Sequence, residues 1–299
     1  ARAAGYLAVG DYANALAACD AALSADPEYY AAWIGKGKTL SALGRHEDAV
    51  AAYDEAVKHK PPHLKTRDGG FEPYYLDKLE KLNRDAEKYG PALYDFRAAW
   101  IGKAEALTAL SRRAEAAEAY AEAARLSPES ADAWACMGDA LYDTGNDEEA
   151  VEAYDKAIAA DPRHHHSWTR KGDSFMRRAD YYRALESYSR AVNLVPEDHF
   201  AWYRLGSASY GLGRFGDAAD SFAYAAGLSP AYRDALYMYA QSLAGMGRLE
   251  EAVEAYGKVM DVDPGYVDAM IGKGVALSRL GRHDEAFATF DGAIKLRPD

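Results

Sequence analysis

The sequence predicts an all-α solenoid of two-helix repeats, and three observations carry that expectation. All five tryptophans fall on one register: Trp100, Trp134, Trp168 and Trp202 follow one another at 34 residues, and Trp33 joins them across one interruption. Eight of the eleven prolines (Pro27, Pro61, Pro128, Pro162, Pro196, Pro230, Pro264, Pro298) share a second register position, and the other three lie in or beside the same interruption. A third position holds Gly10, Gly44, Gly145, Gly213, Gly247 and Gly281. Self-similarity at a period of 20–50 residues means stacked units that contact their neighbours rather than one globular core.

Numbering each unit so that its Trp is position 4 gives a partial unit at 1–29, then units at 30–63, 97–130, 131–164, 165–198, 199–232, 233–266 and 267–299. Positions 4, 8 and 11, as in Trp168, Gly172 and Phe175, lie one, two and three turns along one helical face and predict the first helix of each pair. Positions 20, 24 and 27, as in Ala184, Tyr188 and Ala191, repeat that spacing for the second helix, which the closing Pro then ends. Gly at position 15 suits a left-handed helix terminus, so the turns carrying Ser111 and Ala179 there are expected to be less regular. The last two units replace Trp with Leu236 and Met270, still large and apolar. Residues 64–96 carry none of the markers and read as an insertion: a loop around Gly69-Gly70, then an amphipathic helix along Tyr75, Leu79, Leu82 and Ala86 that Gly90-Pro91 terminates.

Trp202, Leu205-Gly206, the Ala218/Phe222 pair and Pro230 closely resemble the tetratricopeptide repeat, and the resemblance covers nearly the whole chain. It implies a right-handed superhelix whose first helices line a concave groove with positions 2, 5, 9 and 12. On that face the outer units offer Ile34, Ile101 and Ile271. The middle offers Asp139 and Tyr142, then Arg170 and Asp173, then Phe200, Tyr203, Arg204 and Tyr210, then Tyr237 and Gln241. Rings beside arginines and carboxylates provide rigid contact area and orienting hydrogen bonds, as a peptide-binding surface needs. Chaperone-binding members of the family hold a C-terminal carboxylate with Lys and Asn, and sugar-transferring members carry an Asn ladder. Positions 6 and 9 here hold no Asn, so neither mechanism is expected.

Composition and motifs exclude most other chemistry. A net charge of -12 opposes binding to polyanions, whose affinity comes from Lys and Arg neutralising phosphates. Cys19 and Cys136 form no disulfide framework and suit a reducing, cytoplasmic compartment, although a chain beginning at Ala1 without Met reads as a fragment. No apolar run is long enough to span a bilayer. Gly35-Lys36-Gly37-Lys38-Thr39 ends like a phosphate-binding loop but has Ala32 where that motif needs Gly. His164, His165 and His166 point about 100° apart along a helix and do not converge on one metal ion. Asp147, Glu148 and Glu149 open a helix, where negative charge is favoured. No catalytic constellation is found.

The expected protein is therefore a non-enzymatic interaction scaffold, without cofactor or metal, that binds an extended peptide or partner helix in its groove. Two alternatives stand beside it. One is a regulatory or substrate-recruiting arm of a larger enzyme. The other is a homo-oligomer stacked end to end through Phe287, Phe290 and Ile294.

Overall fold

A computed structural model describes residues 2–59 and 86–297. Among them the chain is helical, with 16 helices and no strand. It divides into two compact units, Ala1–His164 and His165–Asp299.

The first unit holds α1 (Arg2–Ala8), α2 (Tyr12–Ala25), α3 (Tyr30–Ala42), α4 (His46–Lys58), α5 (Ala86–Ala109), α6 (Arg113–Leu126), α7 (Ala131–Asp143) and α8 (Asp147–Ala160). The second holds α9 (His165–Arg177), α10 (Tyr181–Leu194), α11 (His199–Gly211), α12 (Phe215–Leu228), α13 (Arg233–Gly245), α14 (Leu249–Val262), α15 (Val267–Arg279) and α16 (His283–Leu296). Within each unit every helix packs on the next, and alternate first helices also touch, α3 on α5, α11 on α13 and α13 on α15. That is the nearest-neighbour architecture of an all-α repeat solenoid.

The pairing follows from two recurring contacts, one inside a repeat and one across its boundary. The position-8 glycines let the second helix approach: a Cβ on Gly138, Gly172 or Gly206 would sit 2.5–2.8 Å from the rings of Tyr154, Tyr188 or Phe222. Those position-24 rings, with Tyr53, are the largest fully buried side chains. The tryptophans are half-buried, and Trp33, Trp100, Trp168 and Trp202 pack against the core clusters. Their indoles also reach back, Trp33, Trp134 and Trp202 donating from Nε1 to the carbonyls of Pro27, Pro128 and Pro196 at 2.8–3.0 Å. Trp and Pro therefore share a period because one hydrogen-bonds the other across the repeat boundary.

The hairpin turns are one geometry throughout. In repeat six the N–H groups of Gly213 and Arg214 bond the carbonyls of Tyr210 and Ser209, a Schellman ending with glycine at φ +72°. Ser111 and Ala179 adopt the same left-handed conformation, φ 60° and 57°, with the same bond pattern. The less regular turns expected there are not found, because the same pair of backbone hydrogen bonds closes them despite the Cβ penalty. Second helices begin on charge: Arg112, Arg248 and Arg282 each pair three residues on with Glu115, Glu251 and Glu285 at 2.5–2.6 Å, while repeat five reverses the order with Asp180 and Arg183.

The loop expected around Gly69-Gly70 and the stripe of Tyr75, Leu79 and Leu82 lie outside the described residues. The helix end expected at Gly90-Pro91 is not observed, since α5 runs through both residues into the first helix of repeat three. Proline removes one N–H from that ladder but does not break a helix anchored further on by Phe96, Ala99 and Leu107 in the core. At the other end of the chain Phe287 and Ile294 on α16 are exposed, whereas Phe290 packs against Val253, Leu277 and Ala286.

Candidate peptide-binding face

In the second unit, α11 brings Phe200, Tyr203, Arg204 and Tyr210 along successive turns, and α13 brings Tyr237 and Gln241. Two side chains that sequence reasoning missed complete the surface. Tyr232 and Tyr266 are the residues immediately before α13 and α15, and their rings fold back onto the preceding first helix. Tyr232 lies 5.5 Å from Phe200 and 5.2 Å from Tyr203, and Tyr266 lies edge-on to Tyr237 at 5.2 Å. A signal existed: Tyr29, Tyr232 and Tyr266 all stand at position 34. His199 joins the first group at 4.1 Å from Phe200.

The aromatic surface is half-wet. Phe200 is 51% exposed, and Tyr203, Tyr232 and Tyr237 are intermediate. Burial, reinforced by Tyr203 and then Asp234, pushes the Tyr232 phenol up to about 12, with Arg204 opposing. Burial and the Asp234 charge also raise Tyr203. Both rings therefore stay neutral and can donate hydrogen bonds. Further along, the Tyr210 hydroxyl donates to Gln241 Oε1 at 3.1 Å and Gln241 Nε2 donates to Tyr237 Oη. That chain fixes the Gln241 amide and leaves the Tyr237 proton free to point outward. At the α13 terminus, Arg233 bonds Asp263 and Asp234 at 3.0 Å and lies 4.6 Å above the Tyr266 ring.

The charged candidates are already engaged with one another. Asp173, its side chain 12% exposed, accepts from Tyr188 Oη at 2.7 Å, and its carboxylate lies 2.9 Å from Arg204 Nε and 3.5 Å from Arg170. In the first unit Asp139 accepts from Tyr154 Oη at 2.8 Å in the same manner, with Tyr142 one turn further along α7. The position-9 carboxylates thus tie helix pairs together as well as facing outward. The isoleucines at position 5 do not form one class: Ile34 is 4% exposed, Ile101 half-buried and Ile271 exposed.

Elsewhere the chemistry is bland. Burial pushes the Cys136 thiol up to about 11 and raises Cys19, so neither is an activated nucleophile. Lys36, in the stretch resembling a phosphate loop, sits mid-helix in α3 and pairs with Asp20 at 2.7 Å. His164 contacts Asp132 at 3.1 Å and His165 contacts Asp198 at 3.4 Å. Among the described residues no three His, Cys, Asp or Glu side chains gather as a metal-binding group, and no helix is long and apolar enough to cross a membrane.

Helix pairs stacked at a 34-residue period, with Gly against an aromatic ring inside five pairs and Trp33, Trp134 and Trp202 bonded to the preceding Pro between pairs, define a helical-repeat solenoid. The chain belongs to the tetratricopeptide repeat family, whose models match residues 6–65, 101–165, 169–233 and 237–299. Proteins of this family are generally non-catalytic scaffolds. Among solved structures, the chain is similar to MamA at 30% identity, covering 54% of this chain and 95% of that one with a TM-score of 0.53. It is also similar to YrrB, described as a repeat protein with an unusual peptide-binding site, at 26% identity over 61% of this chain and 94% of that one, TM-score 0.57. The MamA fragment of Desulfovibrio magneticus RS-1 matches in fold at 21% identity, 56% and 95% coverage, TM-score 0.53. No curated protein sequence matches the chain.

Proposed function

We propose that this protein is a non-enzymatic interaction scaffold that holds an extended peptide or a partner helix against the first-helix face of its second unit. One observation carries the reading: Phe200, Tyr203, Tyr232, Tyr237 and Tyr266 line one face as partly exposed rings, Tyr203 and Tyr237 resting on the buried Phe222 and Tyr256, with Arg204 beside them. Stacking is already provided by the glycine-to-ring contacts beneath it. Rigid rings give contact area at little entropic cost, and the polar groups beside them set register. The likeness to YrrB supports peptide as the ligand class. Asp139 and Tyr142 offer the corresponding face in the first unit.

A screen of random peptides displayed on phage, followed by Tyr203→Ala and Arg204→Ala, tests the assignment. Each change is expected to weaken the selected peptides by tenfold or more, that is about 1.4 kcal/mol. Peptides that bind both variants like the parent place the site elsewhere.

A further inference from the structure

Arg204 is held differently from other arginines of its unit. Arg214, Arg248 and Arg282 close their forks on carboxylates three residues away, and Arg233 divides its own between Asp234 and Asp263. Arg204 is fixed at one point only, by the ion pair from Nε to Asp173 Oδ1 at 2.9 Å, and no hydrogen bond from its guanidinium reaches a described residue. Its side chain is 37% exposed, so the remaining donors face solvent beside the aromatic surface. Asp173 cannot follow Arg204 if the arginine moves, because the hydroxyl of Tyr188, itself 1% exposed, anchors the carboxylate at 2.7 Å. The guanidinium is planar by its own delocalisation, and an anchor on its Nε side leaves the two Nη groups as the fork that receives a carboxylate.

Resting on the groove reading above, we propose that Asp173 is a positioning residue that aims Arg204, and that the face takes an extended peptide pairing an apolar side chain with a neighbouring carboxylate. The apolar side chain lies against Phe200 and Tyr203, and the carboxylate receives the open edge of Arg204. A monoanion fits better than a phosphate. A phosphate monoester would bring about two negative charges to a guanidinium that already shares its one positive charge with Asp173.

The test uses three pools of fluorescein-labelled dodecapeptides with Leu-Glu, Leu-Gln or Leu-Lys at the centre and Gly, Ser or Ala elsewhere, read by fluorescence polarisation on the full chain. The Leu-Glu pool is expected to bind about tenfold tighter than Leu-Gln, with Leu-Lys weakest. Arg204→Gln abolishes that ratio. Asp173→Asn lowers that ratio and Asp173→Glu restores it; a purely structural role would weaken both pools equally and leave the ratio unchanged. A Leu-Glu pool no tighter than Leu-Gln, or a ratio surviving Arg204→Gln, overturns the acidic preference. Equal weakening of both pools by Asp173→Asn overturns the positioning role. Binding of all pools that is absent or indifferent to Tyr203→Ala overturns the groove reading, and the inference with it.

Discussion

At the seam between repeats 30–63 and 97–130, the buried ring of Tyr53 lies directly under Gly102, where an added Cβ would meet Tyr53 Oη at 2.5 Å. Lys103 beside it turns back to Asp54 at 2.5 Å. At the seam between repeats 165–198 and 199–232 the ring is Tyr188, equally buried, but the residue equivalent to Gly102 is Arg204 and the ring's hydroxyl has turned to Asp173. Repeats 233–266 and 267–299 return to the first solution, with Gly272 against Tyr256 at 2.5 Å. At these three seams repeat position 6 therefore decides whether the seam is closed by ring contact or left with a charge at its mouth. Stacking is satisfied either way, so Arg204 is surplus to packing.

Exchanging the two solutions should break them unequally. Gly102→Arg forces a long side chain into the space of the Tyr53 ring and is expected to cost about 3 kcal/mol, the upper end of overpacking penalties. Arg204→Gly loses a partly exposed ion pair and some helix propensity, together about 1–1.5 kcal/mol. Urea denaturation of both variants measures the contrast. Comparable losses would mean that Arg204 is as structural as Gly102 and that the comparison is empty.

The closed seam also has a pH signature. Burial raises the Tyr53 phenol from its usual 10 to about 12. Between those values the unfolded chain has released its proton while the folded chain keeps it, so stability present below pH 10 is lost as pH rises towards 12. The loss from this ring is about 2 kcal/mol across that window. Tyr53→Phe should flatten the corresponding part of the melting-temperature profile above pH 10. A parent profile level to pH 12 would show that the ring is not sealed.

The helix pairs were legible because Trp, Pro and Gly recur at one period, and each marks a helix face or an end that backbone geometry imposes. The face was legible only in part. Phe200, Tyr203 and Tyr237 were found because positions 2 and 5 are fixed on a helix, whereas Tyr232 and Tyr266 belong to turns, and their direction depends on how the chain enters the next helix. Depth of burial was illegible for a similar reason. Periodicity tells which residues share a face, but the half-burial of Trp134 and the full burial of Tyr154 follow from how closely Gly138 admits the second helix. The link from Asp173 to Arg204 spans adjacent repeats, which spacing inside one repeat does not reveal.

The smallest expected effect concerns the turns that flank these seams, one in each unit. Ser111 follows the first helix of repeat three and Ala179 that of repeat five, both in the left-handed conformation that six other repeats give to glycine. A Cβ in that conformation costs about 1–2 kcal/mol. Replacing it with glycine recovers this but adds roughly 0.4–1 kcal/mol of freedom to the unfolded chain. Ala179→Gly should therefore stabilise by about 0.5–1 kcal/mol, and Ser111→Gly by a similar amount, seen as a small rise in the urea midpoint with unchanged slope. Because neither change touches Arg204 or its ring, peptide binding should not move. A fall in midpoint in either variant would mean that the turn is held by its side chain rather than in spite of it.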